Sequence, residues 1–402
     1  MAKVVLPRGE GAHVRIALIA EDFYPQLGGI PEHVHHYTKQ LLRLGHEVTV
    51  ISSHMTGDLP DDVEFTYPVV RVGTSVVIYA NGGVSRITVG RGLGRRLEAV
   101  FREGQFDVIH VHGAMVPTFG LVAPEAANRA GIPIVGTCHS WFPRSIGFRL
   151  FRRPLQRILE RYAATIAVSR PVVEAMMRYF RASWDVIPNG VDVEYFNARG
   201  KSYDISRHGG PRLLYLHRLE PRNHLGTLLE AMPGILARHP TAKLLVAGDG
   251  PWRKYYHRAA TRLGSSVEFL GRIENRPDHY READLFLCPS TRAAFGITLL
   301  ESMACGTPMI VADNPGFRAL IDGGSEAMHL PHDDPAAWAA GVSDLLDDPE
   351  RLRAMGAAGV AKAETFSWPR VTDRVYAVYE RVTGGAARAV PAEGAVRARR
   401  AK

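Results

Sequence analysis

Residues 288–321 read CPSTRAAFGITLLESMACGTPMIVADNPGFRALI, and this stretch decides the fold. A short apolar strand is predicted to end at Cys288, and the loop FGI at 295–297 leads into a helix that carries Glu301. A second strand is predicted at 309–312. Backbone N–H groups at a helix N-terminus attract phosphate oxygens, and a nearby carboxylate can hold ribose hydroxyls. The unit therefore predicts a site for a phosphorylated nucleotide, such as a nucleotide sugar.

The length and composition indicate an ordinary globular protein. A chain of 402 residues is typical of two domains, and 46% of the residues are hydrophobic and 22% charged. No apolar run approaches the ~18–20 residues that span a bilayer, and the N-terminus lacks the apolar core and cleavage site of a signal peptide. The three cysteines are odd in number and lack zinc-ligand spacing. They favour a reduced cytosolic protein without a structural disulfide.

The formal net charge is +8, and two groups of basic residues contribute to it. One lies in a low-complexity tail at 384–402, which we expect to be disordered. The other group consists of Arg86, Arg91, Arg95, Arg96 and Arg102. A basic amphipathic helix is predicted around 91–102 within it. Such a helix can be a solvated surface helix or can dock on an anionic membrane. Nucleic-acid binding is not expected, since basic residues are not interleaved with aromatic ones.

Short Val- and Ile-rich strands alternate with helical segments in both halves of the chain. This alternation predicts an α/β fold with parallel sheets, because parallel strands need crossover helices. Strands of the first half are predicted at 14–20, 47–52, 108–112, 133–138, 165–168 and 185–187. Those of the second half are predicted at 212–216, 243–247, 267–270, 285–288 and 308–311. Turn residues mark a linker at 189–210, and the last helix is predicted at 368–382.

Several candidate binding residues follow predicted strands. Gly28 and Gly29 precede a helix, where a glycine pair lets a ligand approach the backbone, although plain turns use the same pair. His112 and His139 end strands at the edge of a parallel sheet where ligands bind, although an isolated histidine there is often a core residue. Arg218 follows a strand of the second half. It could stabilise a departing phosphate or form a surface ion pair.

Over 14–382 the sequence resembles the family 4 retaining glycosyltransferases, which have the GT-B fold. The motifs that carry the resemblance are EDFYPQLGGIPEHV at 21–34, DVIHVHG at 107–113, YLHRLEPRNHL at 215–225 and the stretch at 288–321. The resemblance implies an α/β protein with two Rossmann-like domains facing a central cleft. The acceptor domain is expected at 1–195 and the nucleotide-sugar domain at 205–366, with helix 368–382 returning to the first.

The resemblance also implies roles for single residues. His112 would contact the donor sugar and Arg218 the leaving pyrophosphate, so both are expected to be catalytic. The expected donor-binding residues are Gly28, Gly29, Asn223, Ile273, Phe295, Gly296, Ile297 and Glu301. The family's first glutamate is replaced by Ala293, and the lysine that partners the arginine is replaced by Asn223. Arg222 is expected to point elsewhere.

Within the family, residues 78–113 are similar to the phosphatidylinositol α-mannosyltransferases. This similarity implies that Asn81 and Arg86 bind the acceptor head group, that His139 lines the same cleft and that the basic helix meets the membrane. A tyrosine and a glutamine of the subgroup's acceptor site are replaced here, by Ala80 and Pro31. A different anionic, lipid-linked or glycan acceptor therefore remains an alternative to phosphatidylinositol.

The resemblance implies retaining chemistry without a protein nucleophile, in which a donor phosphate oxygen takes the acceptor proton. No cofactor or metal is expected, because helix N-termini and cations carry the phosphate charge. We therefore expect a hexosyltransferase of glycolipid biosynthesis, with mannose from GDP-mannose favoured and a UDP donor open. It is expected in the cytoplasm and peripherally at the inner face of the membrane. A weak or inactive homologue that binds or scaffolds, and a nucleotide-sugar epimerase or hydrolase, are the alternatives.

Overall fold

The computed structural model describes residues 13–26, 28–57, 59, 64–80, 83–321 and 324–384. Asn81 and the basic tail beyond Gly384, both singled out from the sequence, lie outside these residues. The described chain forms two sheets of mainly parallel strands with intervening helices, as expected for an α/β protein. No helix in these ranges is both long and apolar enough to cross a membrane.

The first sheet has eight strands within the described residues. Strands β1 to β8 are Arg15–Ala20, Glu47–His54, Val69–Ala80, Gly83–Val89, Val108–His112, Ile134–Cys138, Ala164–Ala167 and Asp185–Val186. Their order is β4-β3-β2-β1-β5-β6-β7-β8, and neighbours run parallel except for β3 and β4. The sequence-based strands do not include this antiparallel hairpin, although its Asn-Gly-Gly between alternating side chains is a hairpin signal.

Helices α1 to α6 belong to the first half of the chain. They are Gly29–Arg43, Leu93–Gly104, Phe119–Ala130, Ile146–Leu150, Arg152–Leu159 and Arg170–Met177. The predicted basic helix is α2, but it begins two residues after Arg91, since Gly92 has a left-handed φ of 64° there. Arg86 lies on β4 instead. The five arginines of the predicted cluster are therefore spread over a strand, a turn and a helix.

The second sheet has six strands among the described residues. Strands β9 to β14 are Arg212–Leu216, Lys243–Ala247, Val267–Gly271, Leu285–Cys288, Met309–Ala312 and Ala327–Leu330. All neighbours run parallel, in the order β11-β10-β9-β12-β13-β14. Helices α7 to α13 are Leu225–Arg238, Arg253–Ala260, Arg276–Glu282, Ile297–Ala304, Pro315–Leu320, Pro335–Leu346 and Pro349–Glu364, with 3₁₀ turns at Pro221–Asn223 and Thr261–Ser266.

The central strands are buried along their whole length because helices cover both faces of a parallel sheet. Every residue of β5, β6, β12 and β13 is buried. One apolar cluster contains residues of both halves, from Ile19 and Phe119 to Phe286 and Phe317. Apolar packing therefore joins the two halves, in addition to the chain that connects β8 to β9.

The last helix, α14 (Trp368–Thr383), returns to the first sheet and packs against α1. Its buried side chains recur at helical spacing and include Val371, Val375, Val378 and Tyr379. The Tyr379 hydroxyl lies 2.6 Å from Nδ1 of His110 on β5, and Nε2 of His110 lies 2.7 Å from the Thr137 hydroxyl. The buried imidazole of His110 is thus paired at both nitrogens, as buried polar groups usually are.

Tyr379→Phe tests how firmly α14 is bound to the first sheet. The substitution leaves Nδ1 of His110 buried without its partner, so the free energy of unfolding should fall by about 1–3 kcal/mol. Urea denaturation followed by circular dichroism measures the loss. Tyr376→Phe is the control, because that ring is partly buried on the same helix and stacks on His46, without a side-chain hydrogen bond in the described structure. Equal losses in both variants would contradict the role of the Tyr379–His110 pair.

Candidate active site

Two helix starts that the sequence marks with glycines face each other between the two sheets. Helix α1 begins at Gly29, and α10 begins at Ile297. A Cβ placed on Gly29 would lie 3.1 Å from Cδ1 of Ile297, so the two starts are almost in contact. Helix N-termini attract anions, and two of them at one place suit a diphosphate.

A cleft of about 320 Å³, counting space open to solvent, lies beside these helix starts. Its walls come from both halves of the chain, and its ionisable residues are Glu32, His33, His36, Asp192, Arg276 and Glu301. Gly29, Ile297 and Glu301, all predicted donor-binding residues, line it. Gly296 precedes α10 with a φ of 115°, a conformation that favours glycine, and Phe295 before it is buried. The predicted loop therefore has a fixed shape at the wall of the cleft.

One partly buried cation crosses the cleft. Arg276, the first residue of α9, donates from Nη2 to Oε2 of Glu32 at 2.6 Å and from Nη1 to Oε1 of Glu301 at 2.8 Å. The Tyr280 hydroxyl donates to Oε2 of Glu301 at 2.9 Å. Burial raises the pKa of Glu301, and the charge of Arg276 acts in the opposite direction. Glu301 is thus in the cleft as predicted, but its carboxylate is already shared with a residue that the sequence did not single out.

Three histidines of the first half meet beside the same cleft. His33 lies on α1, His112 ends β5 and His139 directly follows β6. Nδ1 of His112 is 3.1 Å from Nε2 of His139. The centroid of the His33 ring lies 5.1 Å from that of His112 and 5.0 Å from that of His139. The structure therefore brings His112 and His139 together and adds His33, which sequence reasoning missed although it stands in the GGIPEHV motif.

Burial keeps the three imidazoles neutral. It lowers the pKa of His33 and His112 well below the usual value, and that of His139 to about 4. Nδ1 of His33 and Nε2 of His112 are buried without a hydrogen-bond partner, an unfavourable state that a bound hydroxyl would relieve. Within the described residues, this trio is also the group that could hold a metal ion, since one nitrogen of each ring lies within 4.8 Å of the others.

Two arginines of the second half converge on one buried carboxylate. Nε of Arg218 lies 3.0 Å from Oε1 of Glu220, and Nη2 of Arg222 lies 2.9 Å from Oε2. The Glu220 side chain is 2% exposed, whereas 42% of the Arg218 side chain is exposed. Glu220 therefore attracts both cations by charge, although neither of its oxygens accepts a hydrogen bond of good geometry, and N–H groups of Arg218 remain open to a ligand. The expectation that Arg222 points elsewhere is wrong, because Glu220 holds it beside Arg218.

Asn223 supports this arginine pair from inside the protein. Its Nδ2 donates to the backbone oxygen of Arg218 at 2.7 Å, and its Oδ1 accepts from the Ser290 hydroxyl at 3.1 Å. The residue is buried. The amide thus holds the loop that carries Arg218, and a direct contact of Asn223 with the donor stays a prediction.

An acid that the sequence reading did not single out links the predicted donor and acceptor residues. Asp22 is the second residue after β1, and its Oδ1 is buried without a hydrogen-bond partner. Burial raises the pKa of Asp22, and the charges of Arg86 and Arg218 act in the opposite direction. Arg86 also donates to the Ser75 hydroxyl at 3.3 Å. The carboxylate of Asp22 is therefore within electrostatic range of both Arg86, a predicted acceptor residue, and Arg218, a predicted donor residue.

Comparison with known proteins places this site in a family. The model of Glycosyltransferase Family 4 matches residues 27–195, and that of Glycosyl transferases group 1 matches residues 204–362. The phosphatidyl-myo-inositol mannosyltransferase of Mycolicibacterium smegmatis is 31% identical over 378 residues, which cover 92% of this chain and 95% of that protein. The chain belongs to the family 4 glycosyltransferases.

Further similar proteins agree with the assignment of this chain to the glycosyltransferase family. The D-inositol 3-phosphate glycosyltransferase of Thermobispora bispora is 30% identical, over 90% of this chain and 92% of that protein. Among solved structures, Anabaena HepE in complex with UDP and glucose has a TM-score of 0.74 at 20% identity, covering 91% of this chain and 99% of that one. Sucrose-phosphate synthase from Thermosynechococcus elongatus has a TM-score of 0.72 at 21% identity, covering 93% and 100%. The fold is therefore GT-B.

Two further positions of the glycosyltransferase bear on donor binding. Ala293 stands where the family has its first glutamate, and its loop rests on α11, since a Cβ on Gly316 would lie 2.0 Å from the Ala293 carbonyl oxygen. The loop is therefore closely packed but offers no carboxylate. Ile273, predicted to present its backbone to the base, follows β11 and is partly buried. Its contact with a base stays a prediction.

Glu220→Gln tests whether the buried carboxylate aligns the two arginines. The amide keeps the shape of the side chain but loses the charge that attracts Arg218 and Arg222. Because misplaced groups lose catalytic effect steeply, kcat/KM for the donor should fall about 10–100-fold. Initial-rate kinetics measure this. Glu282→Gln is the control, since it removes an ion pair of similar length, 2.8 Å to Arg212, at an exposed position. Similar rates in both variants would show that Glu220 does not position Arg218 and Arg222.

Proposed function

We propose that this glycosyltransferase moves a hexose, with mannose favoured, from a nucleoside diphosphate to a lipid-linked or glycan acceptor with retention at the anomeric carbon. The observation that carries the proposal is the meeting of two helix N-termini at one cleft, beside a group of neutral histidines. The arginine pair at Glu220 supplies the cations that a diphosphate donor needs. The activities that name the mycobacterial relatives support mannose as the sugar and an inositol phospholipid as the type of acceptor.

On the donor side, the diphosphate would lie in the cleft beside the starts of α1 and α10, with Arg218 and Arg222 on its phosphates. Negative charge grows on this leaving group as the glycosidic bond breaks, and fixed cations and helix termini stabilise it. Glu301 would accept hydrogen bonds from the ribose hydroxyls, and the charge of Arg276 favours the ionised carboxylate against the effect of burial.

On the sugar side, the histidine trio would supply hydrogen bonds without a positive charge. Neutral imidazoles such as His112 can donate or accept at a sugar hydroxyl and do not compete with the arginines for phosphate. In the transfer step, the bond from the anomeric carbon to the donor phosphate breaks, and a bond to the acceptor oxygen forms on the same face. The acceptor proton passes to the departing phosphate oxygen, so no protein nucleophile is required.

On the acceptor side, Arg86 and Asp22 suit a head group that carries both phosphate and hydroxyls. The guanidinium would bind the phosphate, and the unpartnered Oδ1 of Asp22 would accept from a hydroxyl. This pairing is compatible with an inositol-like polyol and equally with another polyol phosphate. A contact from Asn81 remains a prediction.

We infer that the protein works in the cytoplasm, peripherally at the inner face of the membrane. Helix α2 presents Arg95 and Arg96, which are exposed and have no ion-pair partner within the described residues. Arg102, by contrast, is bound to Glu98 at 3.0 Å. Part of the predicted basic face is therefore available to anionic lipid, and part belongs to a surface ion-pair network.

The absence of a carboxylate at Ala293 gives a prediction for donor affinity. Because this position offers the transferred sugar no acid, the free nucleoside diphosphate should bind about as tightly as its sugar conjugate. Isothermal titration calorimetry of GDP against GDP-mannose, and of UDP against UDP-glucose, measures the difference. A conjugate that binds about tenfold more tightly, a gap of ~1.4 kcal/mol, would contradict this expectation. It would show that other groups, such as the histidine trio, replace the missing contact.

Transfer assays test the proposed function as a whole. We expect radiolabelled mannose to pass from GDP-mannose to phosphatidylinositol in mixed vesicles, and Arg218→Ala to remove most of this turnover. UDP-glucose, and a soluble polyol phosphate as acceptor, are the comparison arms. Donor binding without transfer to any acceptor would favour the binding homologue, which none of the comparisons supports. Donor hydrolysis or epimerisation alone would favour the third class of enzyme.

A further inference from the structure

An exposed apolar surface lies on α4 and at the start of α5. Ile146 is 70% exposed, Leu150 69% and Phe151 60%. Ile146 and Leu150 are the most exposed large apolar side chains of the described chain, and all three stand within six consecutive residues. Scattered single apolar side chains are normal on a protein surface, but a group of this kind marks a place of interaction.

Residues 144–157, here called the docking segment, are also strongly basic. They contain five arginines and no acidic residue, and the arginines are Arg144, Arg149, Arg152, Arg153 and Arg157. All five are exposed, and none has an ion-pair partner within the described residues. Arg161, one turn further on, does pair with Glu125 at 2.7 Å. The docking segment therefore carries positive charge that the rest of the protein does not neutralise.

The docking segment is held firmly with its apolar side chains turned outward. Ser145 caps α4 by accepting from the backbone N–H of Phe148 at 3.1 Å, and its own N–H donates to the Tyr179 hydroxyl at 2.7 Å. The Phe148 ring points inward, with its centroid 5.1 Å from that of Phe180 and 5.2 Å from that of Phe142. One aromatic side chain thus anchors the segment while Ile146 and its neighbours remain in solvent.

The segment lies close to the cleft along the chain. Helix α4 begins seven residues after His139, which belongs to the histidine trio at the end of β6. Helix α3 packs against both α2 and α5, so the docking segment and the exposed arginines of α2 belong to one helical layer. A partner surface that bound this helical layer would therefore lie next to the predicted acceptor side of the cleft.

The combination of exposed apolar tips with unpaired arginines selects one partner. A second copy of this chain would bring five unpaired arginines against five others, which is unfavourable at short range. Nucleic acid would use the charge, but the aliphatic Ile146 and Leu150 offer it no stacking surface. An anionic bilayer uses both features, because its interface accepts apolar side chains and its phosphates bind arginine.

We propose that the docking segment inserts Ile146, Leu150 and Phe151 into the interface of an anionic membrane, with its arginines on the lipid phosphates. It is a second contact, apolar in part, beside the purely basic one on α2. The inference rests on the proposed lipid-linked acceptor for its purpose, but membrane binding itself needs no acceptor and is tested without one.

Vesicle co-sedimentation of the full chain tests the inference, using phosphatidylcholine vesicles with and without phosphatidylglycerol. The triple variant Ile146→Ser, Leu150→Ser, Phe151→Ser should bind anionic vesicles about tenfold more weakly, including at high salt, where charge contributes least. The variant Arg149→Ser, Arg152→Ser, Arg153→Ser should lose binding mainly at low salt. Trp252→Ser with Tyr255→Ser, which removes exposed aromatic rings from the second half, is the matched control and should bind like the wild type.

Other outcomes would overturn the inference. If only Arg95→Ser with Arg96→Ser reduced vesicle binding, the membrane contact would lie on α2 alone. If the apolar triple variant left vesicle binding unchanged but abolished a wild-type dimer in analytical ultracentrifugation, the surface would be a self-association face. Loss of RNA or DNA binding with unchanged vesicle binding would reassign it to nucleic acid.

A spectroscopic measurement avoids dependence on the triple variant. The three native cysteines are buried, so an environment-sensitive dye can be placed selectively on Leu150→Cys, with Tyr255→Cys as control. Anionic vesicles should shift the emission of the dye at position 150 to shorter wavelength and leave that at position 255 unchanged. No shift at position 150 would refute insertion. Thermal stabilisation by GDP or UDP, measured on the same samples, separates this failure from a failure of the proposed transferase activity.

Discussion

The Arg276 guanidinium, shared by two carboxylates, fixes how the two halves of this glycosyltransferase meet. Glu32 comes from the first helix of the first half, and Glu301 comes from the helix that the nucleotide is expected to touch. A buried ion pair is weak evidence for stability, since desolvation offsets attraction, but removing one partner leaves an uncompensated charge. Geometry, more than energy, is therefore what Arg276 supplies. With it in place, Gly29 and Ile297 come into near contact, and the cleft has its observed walls.

The same arrangement places a condition on the donor. Glu301 already accepts from Arg276 and Tyr280, so ribose hydroxyls must use its remaining lone pairs or displace a protein donor. A nucleotide that binds Glu301 thereby alters the contact between the halves. If the donor uses Glu301 as expected, donor binding and the contact between the halves are coupled through one carboxylate.

Features encoded locally could be predicted from the sequence. The α/β alternation, the glycines at the starts of α1 and α10, and the strand-end residues His112 and His139 all follow from periodicity and position in the chain. Contacts between distant residues could not be predicted in this way. Arg276 and Glu32 stand 244 residues apart, and nothing near either residue signals the other. The convergence of Arg218 and Arg222 on Glu220 was missed for a different reason, because it depends on the path of a short loop rather than on strand alternation.

The return of α14 to the first sheet has a consequence for the order in which the protein can fold during synthesis. The first half emerges from the ribosome before the second, yet the apolar face near α1 and the ring of His110 need Val371 and Tyr379 for cover. Until nearly all of the described chain has been made, that face stays open to water and to other nascent chains. The first half is thus translated first but completed last. A protein truncated before α14 would lack a helix of the domain that was synthesised first.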